Sequence, residues 1–140
     1  SGDFTERVYA TCARSGGVFF PSKGSAAQAG TWDASQLKDH PTLVLYRYVD
    51  YQAKVALYSE RIAKKSLPLL HFPADAGEDF LLGHMGQKII ESEKTKGTMW
   101  KKVAGDHYGD CTKLHLVTWW VMRTHLEQES TQPLTDSAQA

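Results

Sequence analysis

Apolar residues at four-residue steps open the chain: Phe4, Val8 and Cys12, with Tyr9 beside them, predict a helix from Asp3 to Arg14. Gly16-Gly17 ends it, and Val18-Phe19-Phe20 reads as a short buried strand. Polar and small residues then dominate from Pro21 to about Pro41, a stretch longer than most connections and so marked for function or mobility. Leu43 to Val49 is the clearest strand in the chain. Behind it, Val55, Tyr58, Ile62 and Leu57 supply the inward face of a helix from Tyr51 to about Lys65, which Pro68 breaks. Leu69 to Phe72 reads as another strand, stopped by Pro73, and Glu78 to Leu82 as a helical turn. Gln87–Glu93 and Thr98–Val103 predict a hairpin, and the last helix runs from His107 to about Leu126. Residues 127–140, polar and interrupted by Pro133, predict a disordered tail. Helices alternating with short apolar strands, then a hairpin and a helix, predict an α/β layer with a mixed sheet.

Length and composition narrow the function classes without choosing one. The chain of 140 residues suits a single domain with a real core, and 41% hydrophobic with 23% charged residues is ordinary globular usage. Sixteen basic residues balance sixteen acidic ones, so any surface for nucleic acid has to be local. Cys12 and Cys111 match no zinc pattern, and a reduced setting is the simpler reading of them. No apolar run reaches the roughly 18 residues of a membrane span, and no signal peptide is visible. Residues 24–30 lack the Lys-Ser/Thr ending of a nucleotide-binding loop.

The chemistry concentrates in Asp106-His107-Tyr108-Gly109-Asp110-Cys111, at the mouth of the last helix. At about 100° per residue, Asp110 falls in the arc made by Leu114, Val117 and Val121, with Asp106 and His107 flanking it. A carboxylate facing a core is costly unless something pairs with it, and a divalent cation is one such partner. Asp106 also suits the helix N-cap, and His107 a hydrogen-bonding role. His107, Cys111 and His115 stand four residues apart, a spacing at which three side chains of one helix rarely converge on zinc. Lys23 and Lys54 lie at strand ends, where α/β folds place their sites, although solvated lysine is the commoner role. Lys94 and Lys96 lie on the hairpin turn, where they suit a phosphate backbone or plain solvation. Trp100, Trp119 and Trp120 read as packing residues. Cys111 reads as facing inward, which disfavours a cysteine nucleophile, and no Ser sits in a strained strand-to-helix turn. Oxygen-ligand, magnesium-type chemistry fits best.

The order of these features resembles the C-terminal part of the nuclease domain of large terminase subunits, the DNA-packaging motors of tailed bacteriophages, in the lambda-like branch. The resemblance runs from Ser1 to about Val121. It rests on Ser1-Gly2 leading to Thr5, Val8-Tyr9 and Cys12, and on Lys23-Gly24 after a strand. Lys54, His71-Phe72-Pro73, Trp100, and His107 with Asp110-Cys111 follow in order. It implies an RNase H-like mixed sheet flanked by helices and lacking its first strands, with residues 1–126 forming that portion of the nuclease domain. It further implies a cluster of acids holding Mg²⁺ or Mn²⁺, two ions in the full family site, for phosphodiester hydrolysis. Asp110 matches the last acidic ligand of the family, and Asp3 is the acid of this chain nearest to the middle one. Asp106 and His107 would stand beside the reaction, with Lys23, Lys54, Lys94 and Lys96 toward DNA.

By that resemblance the chain is part of a metal-dependent endonuclease that cuts double-stranded phage DNA during packaging, in the cytoplasm of the infected bacterial host. Its partners would be DNA and, in the full-length protein, the terminase small subunit and the portal or procapsid. With one or two acids present, the activity of this portion alone is expected to be weak. The competing expectation is a non-catalytic module of the same fold that contacts DNA, the capsid or the portal. A third is an unrelated α/β domain in which Asp110 only stabilises its helix.

Overall fold

β-Branched and aromatic residues make Val44–Val49 a strand, and it becomes the centre of a three-stranded sheet. The computed structural model describes residues 2–26, 30–94 and 97–131, with side chains from Phe4 onward. Helix α1 covers Gly2–Arg14, β1 Ser22–Ser25, β2 Trp32–Gln36 and β3 Val44–Val49. Strand β1 pairs with β3 in parallel, Ser22 opposite Tyr46 and Ser25 opposite Val49. Strand β2 pairs with the other edge antiparallel, Trp32 opposite Tyr48 and Gln36 opposite Val44. Arg47 fixes that register with a cross-strand ion pair to Asp33 at 2.8 Å. The sheet is therefore mixed, as the alternation of elements predicts.

At Val49 the chain passes directly into helix α2, Asp50–Lys54, and this continues as a π-helical segment, Val55–Ala63. A short helix α3, Glu78–Leu82, leads to the hairpin of β4, Gln87–Ser92, and β5, Gly97–Lys102. Helix α4 spans His107–Thr131 and packs on α2 and the π-helical segment. Their shared core is Tyr48, Ala53 and Val117, with Trp32 and Trp120 against it. Leu57, fully buried, extends the packed side of the π-helical segment.

Several elements differ from the sequence expectation. Val18, Phe19 and Phe20 form no strand and are exposed. The strand begins at Ser22, because the extended backbone finds its partner in β3 only there. The stretch from Pro21 to Pro41 is not one loop: it carries β1 and β2. Leu69–Phe72 is irregular and pairs with no strand among the described residues. In α1 only Cys12 of the expected stripe is buried, while Phe4 and Val8 stay exposed. The last helix reaches Thr131, so residues 127–131 are helical rather than part of a tail; residues 132–140 lie outside the described residues. No described helix is long and apolar enough to cross a membrane.

Candidate functional site

The carboxyl end of the central strand is where an α/β sheet presents side chains to one spot, since the next residue starts a helix and turns away from the ladder. Here that residue is Asp50. Its Oδ1 accepts from Lys113 Nζ at 2.8 Å, and its Oδ2 faces Lys54 Nζ, one helical turn on, at 3.0 Å. Lys113, on α4, also reaches Asp110 Oδ1 at 3.0 Å. The cluster thus joins two elements through one ammonium: Asp50 from the strand end and Asp110 from the first turn of α4. Lys113 lies 5.9 Å from the centre of the Tyr48 ring, a cation–π contact from the sheet side.

Gly24 allows this approach. A Cβ there would stand 3.3 Å from Asp50 Cβ and 3.5 Å from the Tyr48 ring, so the end of β1 fits against the site because it lacks a side chain. The neighbouring Lys23 is exposed on β1. Ser25 Oγ donates to the Tyr48 carbonyl at 3.2 Å, tying the same strand end down.

The electrostatics follow from this packing. Burial pulls the Asp50 carboxyl upward, but hydrogen bonds from Lys113 and Lys54 outweigh it and hold it below its ordinary value. Burial likewise opposes the charge on Lys113, and Asp50 and Asp110 overcome it, raising that ammonium above the usual lysine range. The signs give a pH dependence. The Asp50 contribution to stability is complete above the carboxyl's ordinary 3.8 and is lost as pH falls through the depressed folded value. The Lys113 contribution is complete below its ordinary 10.5 and is lost only as pH rises through the raised one. Thermal melts should therefore change little through this cluster at neutral pH and fall steeply below about pH 4. Asp50→Asn should flatten part of that acid fall; an identical acid profile would show that the pairing contributes nothing.

Tyr58, on the π-helical segment, stands with its hydroxyl against Gly109, one residue before Asp110. It is 5% exposed, and its hydroxyl has no hydrogen-bond partner among the described residues. Burial pushes that hydroxyl up to about 12, with Asp110 and Asp106 adding to the effect. An unpaired buried hydroxyl costs about 1–3 kcal/mol. Tyr58→Phe is therefore expected to melt at the same temperature as the parent or slightly higher. A loss of several degrees would mean that the hydroxyl has a partner after all.

The expected residues separate into groups. Asp110 sits in the cluster, though not in the middle of the buried arc: that face is centred on Gly109, Lys113 and Val117, and Leu114 is exposed. Asp106 is buried elsewhere, as an anchor of the hairpin. Its carboxylate takes Lys102 Nζ at 2.5 Å and a short hydrogen bond from Gln87. Burial raises its carboxyl, and those two partners reverse the shift, leaving it below its ordinary value. His107 lines a shallow groove with Asp79, Leu82 and Tyr108. Cys111 is exposed rather than inward-facing, and with His115 it lines a different groove of about 700 Å³ beside His71 and Phe72, so the three zinc-spaced residues do not converge. Trp120 packs on the core and Trp100 against Tyr51 and Tyr58, but Trp119 is half exposed. Lys54 joins the cluster; Lys94 is exposed in the hairpin turn. Lys96 and the Asp3 side chain lie outside the described residues.

Asp50 and Lys113 are the two site residues the sequence reading missed. Among the described residues no group of three or more His, Cys, Asp or Glu is arranged to hold a metal ion. Two carboxylates do converge on a single position, now taken by the Lys113 ammonium, and a buried phenol without a partner stands in their field. That donor set fits one hard cation with substrate and solvent oxygens completing its shell, whereas two ions need further carboxylates. No family model, curated protein or solved structure matches this chain.

Proposed function

We propose that the chain is part of a metal-dependent endonuclease of the terminase type, and that Asp50 and Asp110 are its cation-binding carboxylates. The observation that carries this reading is their meeting at the carboxyl end of the central strand, from elements 60 residues apart in sequence, around one cationic position. The mixed sheet, with a helix following the central strand and a last helix bearing Asp110, is compatible with an RNase H-like arrangement.

In this reading Asp50 and Asp110 supply carboxylate oxygens to Mg²⁺ or Mn²⁺. A bound ion would supply charge stabilisation at a phosphodiester and activation of water. The chain's own groups do the rest. Lys54 holds the second oxygen of Asp50 and so fixes the plane of that carboxylate. Lys23, exposed on β1, would add a phosphate contact outside the pair, and Tyr58 offers a buried donor. Asp106 holds the hairpin against α4, so it positions the site without touching the reaction. Lys94 and Lys96 would add phosphate contacts. The full protein would act on double-stranded phage DNA with the small subunit and portal, in the infected host's cytoplasm.

One observation favours the second reading, a non-catalytic module that binds DNA, capsid or portal: Lys113 already compensates both carboxylates. Titration with Mg²⁺, followed by amide chemical shifts, separates the two. Shifts centred on Asp50 and Asp110 support the nuclease reading, and a spectrum unmoved at millimolar ion removes it.

A further inference from the structure

We infer that Lys113 is a built-in counter-ion, which holds the Asp50–Asp110 pair together in the absence of metal and has to be displaced before a divalent cation can enter. This rests on the functional reading above and adds a control on it.

The geometry is that of a substitute cation. Lys113 Nζ lies 2.8 Å from Asp50 Oδ1 and 3.0 Å from Asp110 Oδ1, and its side chain is only 8% exposed. Its acceptors are far more open, at 33% for Asp50 and 46% for Asp110. A lysine that merely solubilised the helix would extend its ammonium to water, which its four-carbon stem easily allows. This one turns inward beneath two carboxylates that solvent can reach. The ammonium stands between the two carboxylates, at the position that an ion bridging them would take.

Ammonium and divalent cation cannot share that position, because like charges a few ångströms apart repel strongly once water is thinned out. The flexible stem allows the ammonium to leave without moving α4, to which it is tethered three residues after Asp110. Lys54 stays on the outer oxygen of Asp50 and does not bridge to Asp110 in the described contacts, so it is not the competitor. Lys113 is thus a positioning residue. It keeps two acids from pushing each other apart, and it sets the ion concentration at which the site fills.

The test is Mn²⁺ affinity, read by water-proton relaxation, for the parent chain, Lys113→Met and Lys54→Met. Lys113→Met is expected to bind at least tenfold more tightly than the parent, and Lys54→Met to change far less. Equal or weaker binding by folded Lys113→Met, with the parent still binding, overturns the counter-ion role and leaves the functional reading standing. Absence of binding in all three overturns both. If Lys113→Met does not fold, the unsubstituted chain decides the matter through the ammonium resonance of isotope-labelled Lys113. Saturating Mg²⁺ is expected to bring that proton set into fast exchange with water. A resonance that keeps its slow exchange while the amides report bound ion overturns the inference.

Discussion

Asp110→Asn is expected to weaken Mn²⁺ binding by at least about 10- to 100-fold, the range that even outer partners of a metal site command. The substitution keeps the side chain's shape and removes one of the two charges that converge on the Lys113 ammonium. Asp50→Asn should do the same, since the pair contributes one carboxylate from each element. Asp106→Asn makes the control. Its carboxylate is occupied by Lys102 and Gln87, so its loss should loosen the hairpin and lower the melting temperature while leaving ion affinity nearly as it was. Titration calorimetry on the three variants decides the matter. If Asp106→Asn loses affinity as much as Asp110→Asn, the ion sits nearer the start of α4 and the proposed pair is wrong.

The second large effect concerns Gly109. Within a helix, alanine normally gains up to about 1 kcal/mol over glycine. At this position a Cβ would lie 2.2 Å from the Tyr58 hydroxyl and 2.9 Å from the Gly83 carbonyl oxygen, closer than real atoms approach. Gly109→Ala must therefore push the π-helical segment or the turn after α3 away from α4. Overpacking of this kind costs about 1–3 kcal/mol, enough to outweigh the helix gain. In a domain of this size that is a drop of roughly 3–10 °C in melting temperature. The Tyr58→Phe/Gly109→Ala pair should recover part of the loss, because the hydroxyl is the nearest obstacle. Full additivity of the two changes would show that they do not meet. The Gly83 contact sets the limit of the rescue, since backbone cannot be trimmed.

Periodicity located the elements with strong local signals and failed where pairing or packing decided. Helices α1 and α4, the central strand and the hairpin have repeats or alternations long enough to announce themselves. Strand β2, Trp32-Asp33-Ala34-Ser35-Gln36, carries little β-propensity and owes its form to the ladder with β3. The apolar runs Val18–Phe20 and Leu69–Phe72 look like buried strands, yet neither finds a strand to pair with at those positions. An apolar run gives hydrophobicity but not a partner, and a strand needs both.

The site was half legible for a related reason. Asp110 drew attention as a charge in an apolar stripe. The stripe itself is turned part of a revolution from where Leu114 and Val121 suggested, so that Lys113 is the buried charge and Asp110 its half-exposed partner. The step Gly109–Lys113–Val117 contains that information, but a lysine in such a run is usually assigned to solvent. Asp50 was visible as the first residue after the clearest strand, a position that deserves the same scrutiny as the lysines at strand ends. Which of the 16 acidic residues meets which base is a property of the packing of α2 on α4. No local spacing encodes it.

The π-helical segment makes the orientation of Tyr58 depend on chain length. In such a segment each backbone N–H reaches the carbonyl five residues back instead of four. Deleting any one residue between Val55 and Ala63 would let the ordinary helical bonds re-form, at little cost to the backbone. The helix on either side would keep its facing, because the wider turn is what absorbs the extra residue. A chain one residue shorter here would keep a continuous helix and its flanks, while the side chain set against Gly109 inside the wide turn would change. The phenol that meets Gly109 is thus specified by the width of these turns as much as by the tyrosine at position 58.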